Sequence, residues 1–283
     1  MNGVVLATLC LNEMEWLPRL YEQHRNWPGL VRWVFVEAAD RVYAEANPRR
    51  VSFDGLSMDG TTEYLMELAA EDELVEYVPH GFADHPDPAR CKIAARQRYM
   101  DAAEEVRPKY LIQLDADEFY TREDQGRVCD VMRSYPEYLS FTMPKREIWR
   151  PPSIRDQPLL QYEVVGGFWG IACCHWWNWQ PGMAYRECHI TPSTADGRPT
   201  NDRLLQLHDR ANMPQMLHLG YAAGRGTRTA KNRYYVERGE YADPQRRWYT
   251  QSRASWEEWQ PGHELAKDAK VIPYTGPVPE CFR

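Results

Sequence analysis

Two carboxylates stand two residues apart in the run Asp115-Ala116-Asp117-Glu118, directly after the apolar segment Leu111-Ile112-Gln113-Leu114. In an extended segment, residues two apart point to the same side, so both aspartates can face one cation. Carboxylate oxygens are hard ligands that suit Mg²⁺ or Mn²⁺, and these ions usually keep open positions for phosphate oxygens. The run therefore predicts a divalent-metal centre at the end of a buried strand, although a simple acidic turn would have the same sequence.

Four apolar segments alternate with helical patterns over the first 115 residues. The segments are Val4 to Leu11, Trp33 to Val36, Leu74 to Val78 and Tyr110 to Leu114, and the stretch from Ala38 to Asp54 is predicted as a loop. Such alternation is typical of an α/β fold in which a mostly parallel sheet is flanked by helices. Ligands bind at the carboxyl ends of the strands in such sheets, and the acidic run lies at one of these ends.

Several short motifs resemble those of the GT-A fold glycosyltransferases, and among them the family 2-like enzymes, over roughly residues 3 to 125. The segment Leu11-Asn12-Glu13 matches the "NE" that follows the opening strand in that family. The segment Gly55-Leu56-Ser57-Met58-Asp59-Gly60-Thr61 is close to the family's "DGSxDGT". Lys92 and Arg96 stand on the helical segment before the acidic strand, and Asp115 to Phe119 matches the family's DxD region.

This resemblance implies a Rossmann-like GT-A sheet and a metal-dependent glycosyltransferase that uses a nucleotide-diphosphate sugar, foremost a UDP-sugar. It implies that Asp115 and Asp117 hold Mn²⁺ or Mg²⁺, which makes Asp117 a catalytic residue. The other residues that it places at the donor are Asn12, Glu13, Glu37, Asp59, Lys92 and Arg96.

Two later features fit the same reading. His218 lies in the apolar segment Leu217-His218-Leu219-Gly220, and many GT-A enzymes recruit a late histidine as a further metal ligand, although a structural histidine would look alike. The following run is basic, with Arg225, Arg228, Lys231 and Arg233, and it also contains Gly224, Gly226 and Thr227. We interpret it as a flexible loop that closes over a diphosphate. A solvated basic face is the alternative.

The catalytic base is harder to place, because the family's later Glu-Asp pair is not evident. An inverting enzyme needs a carboxylate near the acceptor hydroxyl. We choose Glu187, which stands near three tryptophans that could stack on sugar rings, Trp176, Trp177 and Trp179. The competitors are Asp156, Glu163 and Asp209. A retaining enzyme would need no such base.

The composition argues against a nucleic-acid-binding surface and a membrane span, and it indicates the redox state of the cysteines. The net charge of −7 does not favour a surface built for nucleic acid, and no apolar run approaches the roughly 20 residues of a membrane span. The seven cysteines are odd in number and form no CxxC motif, which predicts reduced thiols and a cytoplasmic location. The pairs Cys174-His175 and Cys188-His189 match no standard zinc spacing.

We divide the chain into a nucleotide-sugar-binding half (1–125), an irregular acceptor-binding and site-closing part (126–260) and an extended tail (261–283). The acceptor stays open between a saccharide, a small molecule, a protein and a modified nucleic acid. A sugar-nucleotide nucleotidyltransferase is an alternative, but residues 9–15 contain neither the glycine nor the lysine of its phosphate loop. A Trp-rich carbohydrate-binding protein is the non-enzymatic alternative.

Overall fold

The computed structural model describes residues 3–83, 85–143, 145–148, 160–164, 174–207, 213–220, 222–237 and 269–282. The strands in these ranges are β1 (Val4–Cys10), β2 (Leu30–Ala39), β3 (Val75–Phe82), β4 (Tyr110–Gln113), β5 (Glu118–Phe119), β6 (Ser140–Thr142), β7 (Lys145–Glu147), β8 (Leu160–Val164), β9 (Cys174–Asn178), β10 (Leu204–Gln206), β11 (Met216–His218) and β12 (Ala269–Pro273). The helices are α1 (Leu17–His24), α2 (Arg41–Ala46), α3 (Thr61–Glu71), α4 (Pro88–Val106), α5 (Arg122–Ser134) and α6 (Arg225–Glu237).

A seven-stranded sheet with the order β10-β6-β9-β4-β1-β2-β3 forms the centre of the molecule. Strands β3, β2, β1 and β4 are parallel neighbours, and β10 is parallel to β6. Only β9 runs against its two neighbours within this sheet. The predicted α/β fold with a mostly parallel sheet flanked by helices is therefore confirmed.

The apolar strands supply hydrophobic cores on both faces of the sheet. Leu6 and Ile112 pack into one core, and their chain neighbours Val5 and Leu111 pack into the other. Successive residues of a strand point to opposite faces, so a strand that is covered on both sides must be apolar at every position. This requirement explains the unbroken apolar runs in the sequence.

The predicted loop from Ala38 to Asp54 is partly wrong. Strand β2 continues to Ala39, and the short helix α2 follows it. Asp40 caps this helix by accepting a hydrogen bond from the Tyr43 backbone N–H at 2.8 Å, and Tyr43 packs against Tyr234 of α6. A helix of six residues shows no clear periodicity, and a contact from α6 helps to hold it, so the local sequence did not reveal it.

A second, three-stranded sheet has the order β5-β11-β7. Strand β11 pairs antiparallel with β5 and parallel with β7, so that His218 lies opposite both Glu118 and Glu147. This sheet joins the acidic run to two later parts of the chain.

The end of the chain packs on the first helix. Strand β12 pairs antiparallel with β8, and a final 3₁₀ turn follows at Glu280–Phe282. The backbone N–H of Cys281 donates to the Gln23 side chain at 3.0 Å, and the Phe282 ring lies 4.8 Å from that of Phe119. The predicted division of the chain at residues 125 and 260 stays a prediction. No helix in the described ranges has the length and apolar character needed to cross a membrane.

Candidate functional site

The acidic run forms a turn between β4 and β5 and not an extended segment. The backbone N–H of Asp115 donates to the Glu118 carboxylate at 3.0 Å, and the Glu118 N–H donates to the Asp115 carbonyl at 3.0 Å. As a result, Asp115 and Asp117 have different neighbours. The turn therefore has two sides, one at Asp115 and one at Asp117.

On the first side, Asp115, Glu118 and His175 come together from the end of β4, from β5 and from β9. One ligand atom of each lies within 4.8 Å of the others. The His175 Nδ1 atom is 3.0 Å from a Glu118 carboxylate oxygen, and both side chains are buried. Burial alone would raise the pKa of Asp115, but interactions with the His175 imidazole and the Arg96 guanidinium hold it below its usual range.

On the second side, Asp117 is paired with two cationic groups of the protein. The Lys231 ammonium lies 3.3 Å from its Oδ2 atom, and the His218 Nε2 atom lies 3.6 Å from its Oδ1 atom. Although burial would raise the pKa of Asp117, Lys231 and His218 hold it well below its usual range. Lys231 also lies 3.7 Å from Glu13, so one ammonium connects the acidic run to the segment after β1.

His218 lies between two carboxylates. Its Nδ1 atom is hydrogen-bonded to Glu147, which also accepts from Lys145 at 3.0 Å. Burial would lower the pKa of His218, but Glu147 and Asp117 raise it to about 9. The ring is therefore protonated at neutral pH, and a protonated imidazole has no lone pair for a metal. His218 would have to lose a proton to act as the predicted metal ligand.

The two predicted donor motifs are joined directly to each other. The Asn12 N–H donates to Ser57 Oγ at 2.8 Å, and the Glu13 N–H donates to Thr61 Oγ1 at 3.0 Å. Asp59 accepts a hydrogen bond from the Met14 backbone N–H at 3.2 Å. Asn12 has a φ of 56°, in the left-handed region that asparagine tolerates better than most residues. The contacts of Asn12 and Asp59 thus hold the two loops together beside the acidic run.

Glu37 anchors the second of these loops. Its fully buried carboxylate accepts hydrogen bonds from the Ser57 N–H at 2.6 Å, from the Thr62 hydroxyl at 2.9 Å and from the Tyr77 hydroxyl. The contact with a nucleotide base that the resemblance implies for Glu37 stays a prediction.

A cavity of about 180 Å³ opens at the carboxyl ends of β1 and β2, under α4 and α6. Backbone and apolar side chains of both strands form part of its wall, and Tyr43, Tyr234 and Tyr235 add aromatic surface. Its polar lining consists of Asn12, Glu13, Asp40, Arg50, Lys92 and Lys231. Because Glu13 and Lys231 also lie at the acidic run, the cavity and the carboxylates are parts of one site.

The predicted cationic residues have different positions. Lys92 lines the cavity and lies 5.8 Å from the centroid of the Tyr234 ring. Arg96 lies outside the cavity wall and donates to the His189 carbonyl.

The predicted flexible loop at Arg225 is wrong, because helix α6 begins there. Gly224 and Gly226 stand at the start of this helix. Further along it, the side chains of Ala230 and Tyr234 are buried and pack the helix against the rest of the protein. The side chain of Arg225 lies outside the described part of the molecule.

Glu187, the predicted catalytic base, is exposed. Its segment is fastened to α4, because Arg90 donates to the Arg186 carbonyl at 3.0 Å and Arg96 donates to the His189 carbonyl. The role of Glu187 stays a prediction. Asp156, Asp209 and the side chain of Glu163 lie outside the described residues.

The tryptophans that were expected to stack on sugar rings are core residues. Trp176, Trp177 and Trp179 are 1%, 0% and 9% exposed. Strand β9 carries the first two between β4 and β6, so that Trp176 enters one core of the central sheet and Trp177 the other. The expectation was wrong because sequence spacing does not tell a strand inserted into a sheet from an exposed loop.

Four polar groups of the candidate site were not singled out by the sequence analysis, namely Glu118, His175, Glu147 and Asp40. Glu118 stands in the acidic run itself, and its adjacency to Asp117 was the available signal. His175 was considered only with its neighbouring cysteines, because no local pattern connects it to residue 115. Asp40 directly follows β2, where strand-end polar residues are expected in such sheets.

The sequence matches no protein-family model, and no curated protein is significantly similar to it. The structure is similar to that of S. aureus TarS, with a TM-score of 0.42 and 10% identity over 83% of this chain and 39% of that chain. A structure of S. aureus TarS 1–349 in complex with UDP-GlcNAc has a TM-score of 0.42 and 11% identity, over 83% of this chain and 66% of that chain. The mannosyltransferase PcManGT from Pyrobaculum calidifontis, in complex with GDP-Man and Mn²⁺, has a TM-score of 0.32 and 17% identity, over 54% of this chain and 36% of that chain.

Proposed function

We propose that the protein transfers a sugar from a nucleotide-diphosphate sugar to an acceptor hydroxyl. The observation that carries this proposal is one continuous site, in which the cavity at the ends of β1 and β2 meets the acidic run at Lys231. Open α/β sheets bind ligands at this edge, and a cavity with a few convergent polar groups is the usual form of a binding site.

The cavity suits the nucleoside part of such a donor. Tyr43, Tyr234 and Tyr235 offer aromatic surface on which a base can pack, while Asn12 and Asp40 offer amide and carboxylate groups to base or ribose. The lining is mixed in charge, which fits a ligand with a neutral ring at one end and a charged group at the other.

The junction at Lys231 suits the diphosphate. Carboxylates alone would repel a phosphate, but Asp117 is balanced by Lys231 and His218. The Lys231 ammonium is more than a third exposed and lies at the cavity wall, so a diphosphate can approach it while it stays paired with Asp117. We therefore assign Lys231 to the leaving diphosphate and keep Asn12, Glu13 and Lys92 as donor-binding residues.

A bound Mn²⁺ or Mg²⁺ would neutralise the diphosphate as it leaves and would act as a Lewis acid. The carboxylates of the acidic run and the His175 imidazole are groups that fit such an ion. Glu187 remains our proposed base for the acceptor hydroxyl, and the acceptor itself stays open.

The test is a thermal-shift panel with UDP, GDP, CDP, dTDP and UDP-sugars, each with Mn²⁺ or with EDTA. A ligand present at 100 times its Kd stabilises the folded state by about 2.7 kcal/mol, which is readily measured. We expect one nucleotide to stabilise the protein, and to do so more strongly with Mn²⁺. If none of them stabilises it under either condition, the proposal is wrong.

A matched pair of variants on α6 separates a specific contact from general charge. Lys231 lies at the acidic run, whereas Arg233 is exposed on the same helix. We expect Lys231→Met to weaken binding of the stabilising nucleotide about tenfold, as the loss of one charge-assisted contact implies. Arg233→Met should leave this affinity within a factor of two. Equal effects of the two variants would contradict the assignment of Lys231.

A further inference from the structure

The two sides of the acidic turn differ in the charges that surround them. Asp117 is contacted by a lysine ammonium at 3.3 Å and by a histidine that bridges it to Glu147. Asp115 is grouped with a second carboxylate and an imidazole, those of Glu118 and His175. A lysine ammonium therefore contacts Asp117 directly, whereas Asp115 is clustered with two groups that ligate cations. The charge of the Arg96 guanidinium also acts on Asp115.

We infer that the divalent ion binds to Asp115, Glu118 and His175, and that Asp117 remains paired with Lys231. The inference rests on the proposed function for the ion's purpose, and it assigns a ligand set other than the one that the sequence resemblance implies. It also places a residue of β9, outside the first 125 residues, in the metal centre.

The distances support this ligand set. Neighbouring ligands in an octahedron of radius about 2.1 Å are about 3 Å apart. The His175 Nδ1 atom and the Glu118 oxygen are already 3.0 Å apart, so an ion can take the place of the proton that they share. One atom of each residue lies within 4.8 Å of the others, so closing the set around one ion requires side-chain shifts of about 1 Å.

The position of the set in the fold supports it as well. Strand β9 is hydrogen-bonded to β4 within the central sheet, with Ile112 opposite Trp176. His175 precedes Trp176, and Asp115 lies three residues after Ile112, so both groups project from the same rigid part of the sheet. The third group, Glu118, is fixed by its contact with the Asp115 N–H. Ligands that are held by a rigid scaffold need little reorganisation on binding.

The second side of the turn is less suited to the ion. An ion that is coordinated by Asp117 would approach the Lys231 ammonium, which lies 3.3 Å from the same carboxylate. Like charges at this range repel each other, so Lys231 would have to leave both Asp117 and Glu13. Binding at Asp115 avoids this displacement and leaves Lys231 at the cavity wall, where it faces the diphosphate.

The test measures Mn²⁺ binding to the EDTA-treated, full-length protein without any nucleotide, from the EPR signal of free Mn²⁺. The matched variants are His175→Gln and His218→Gln, which remove one imidazole from each side of the turn. We expect His175→Gln to weaken Mn²⁺ binding at least tenfold and His218→Gln to change it less than threefold. The opposite result would place the ion at Asp117, and Mn²⁺ binding that neither variant changes, or no binding, would also overturn the inference.

A second measurement does not depend on either variant folding. In the wild-type protein with ¹⁵N-labelled histidine, substoichiometric Mn²⁺ should broaden the ring signals of His175 before those of His218. Simultaneous or reversed broadening would count against the ligand set. The outcomes are separable from those of the nucleotide panel, because binding of Mn²⁺ at His175 without any nucleotide binding would refute only the proposed function.

Discussion

Replacing Glu37 by alanine removes a single carboxylate on which three hydrogen-bond donors converge. The Ser57 N–H is buried, so it finds no water when the carboxylate is lost. The Thr62 and Tyr77 hydroxyls are half-buried, so water can partly replace their acceptor. The loop that follows β2 and α2 would then lose its anchor to the sheet.

The expected cost follows from these environments. A hydrogen bond to a charged group contributes about 1.5 to 3 kcal/mol, and this value applies to the Ser57 N–H because it is left unpaired. The two hydroxyls add about 0.5 to 1 kcal/mol each, since water reaches them. Glu37→Ala should therefore lower the free energy of unfolding by about 2.5 to 5 kcal/mol. Glu37→Gln keeps the shape and one acceptor oxygen, and it should cost about half as much.

The assay is equilibrium urea unfolding at pH 7, followed by tryptophan fluorescence and circular dichroism. Glu76→Gln on the neighbouring strand β3 is the control, because its partly exposed salt bridge with Arg32 should contribute less than about 1 kcal/mol. A cost below about 1 kcal/mol for Glu37→Ala, or equal costs for the Ala and Gln variants, would refute the reasoning.

The same variants test the base contact that the sequence resemblance implies for Glu37. If Glu37 acts only as the anchor of the loop, Glu37→Gln should bind the stabilising nucleotide nearly as well as the wild type. A loss of affinity of tenfold or more in a well-folded Glu37→Gln protein would show that the carboxylate also contacts the ligand.

Three further perturbations test other parts of the structure. Burial lowers the pKa of His24 from 6.5 to about 4, so the unfolded chain takes up a proton that the folded protein excludes. Stability should therefore fall by roughly 3 kcal/mol as the pH decreases from 6.5 to 4, and urea titrations should show this slope flattened in His24→Gln. Gly220→Ala would place a methyl group 2.7 Å from the His218 ring, which should cost about 1 to 3 kcal/mol in urea unfolding. The control is Gly126→Ala inside α5, where the new methyl meets no atom within 4 Å, and it should stabilise the protein by up to about 1 kcal/mol. Phe282→Ala removes the ring contact with Phe119 of β5, which should lower the free energy of unfolding measured by calorimetry by about 1 to 3 kcal/mol. An unchanged melting temperature would show that the segment around Phe282 does not support the acidic run.

The parallel half of the fold and the position of the acidic run could be predicted from the sequence. Strands that are buried on both faces must be apolar throughout, so β1 and β4 are visible as unbroken runs. Asp115 directly follows such a run at Leu114, and strand ends are where ligands bind. The strands and the position of the acidic run need only local patterns, which explains why these two predictions are confirmed.

The surroundings of the acidic run could not be predicted in this way. Lys231 and Asp117 are 114 residues apart and meet only because α6 packs over the sheet edge. His175 reaches Glu118 only because β9 enters the sheet beside β4, and the same insertion buries Trp176 and Trp177.

The sequence by itself determined the alternation of strands and helices, the two short motifs at Asn12 and Asp59, and the carboxylates at one strand end. Only the tertiary structure decided that Asp117 is balanced by Lys231 and His218, that His175 stands beside Asp115, and that the tryptophans of β9 belong to the core. Local periodicity reports which faces of an element are buried, but it contains no information on which distant element covers them. The charges around each carboxylate depend on that choice of neighbour, so they are set by the packing of the whole chain.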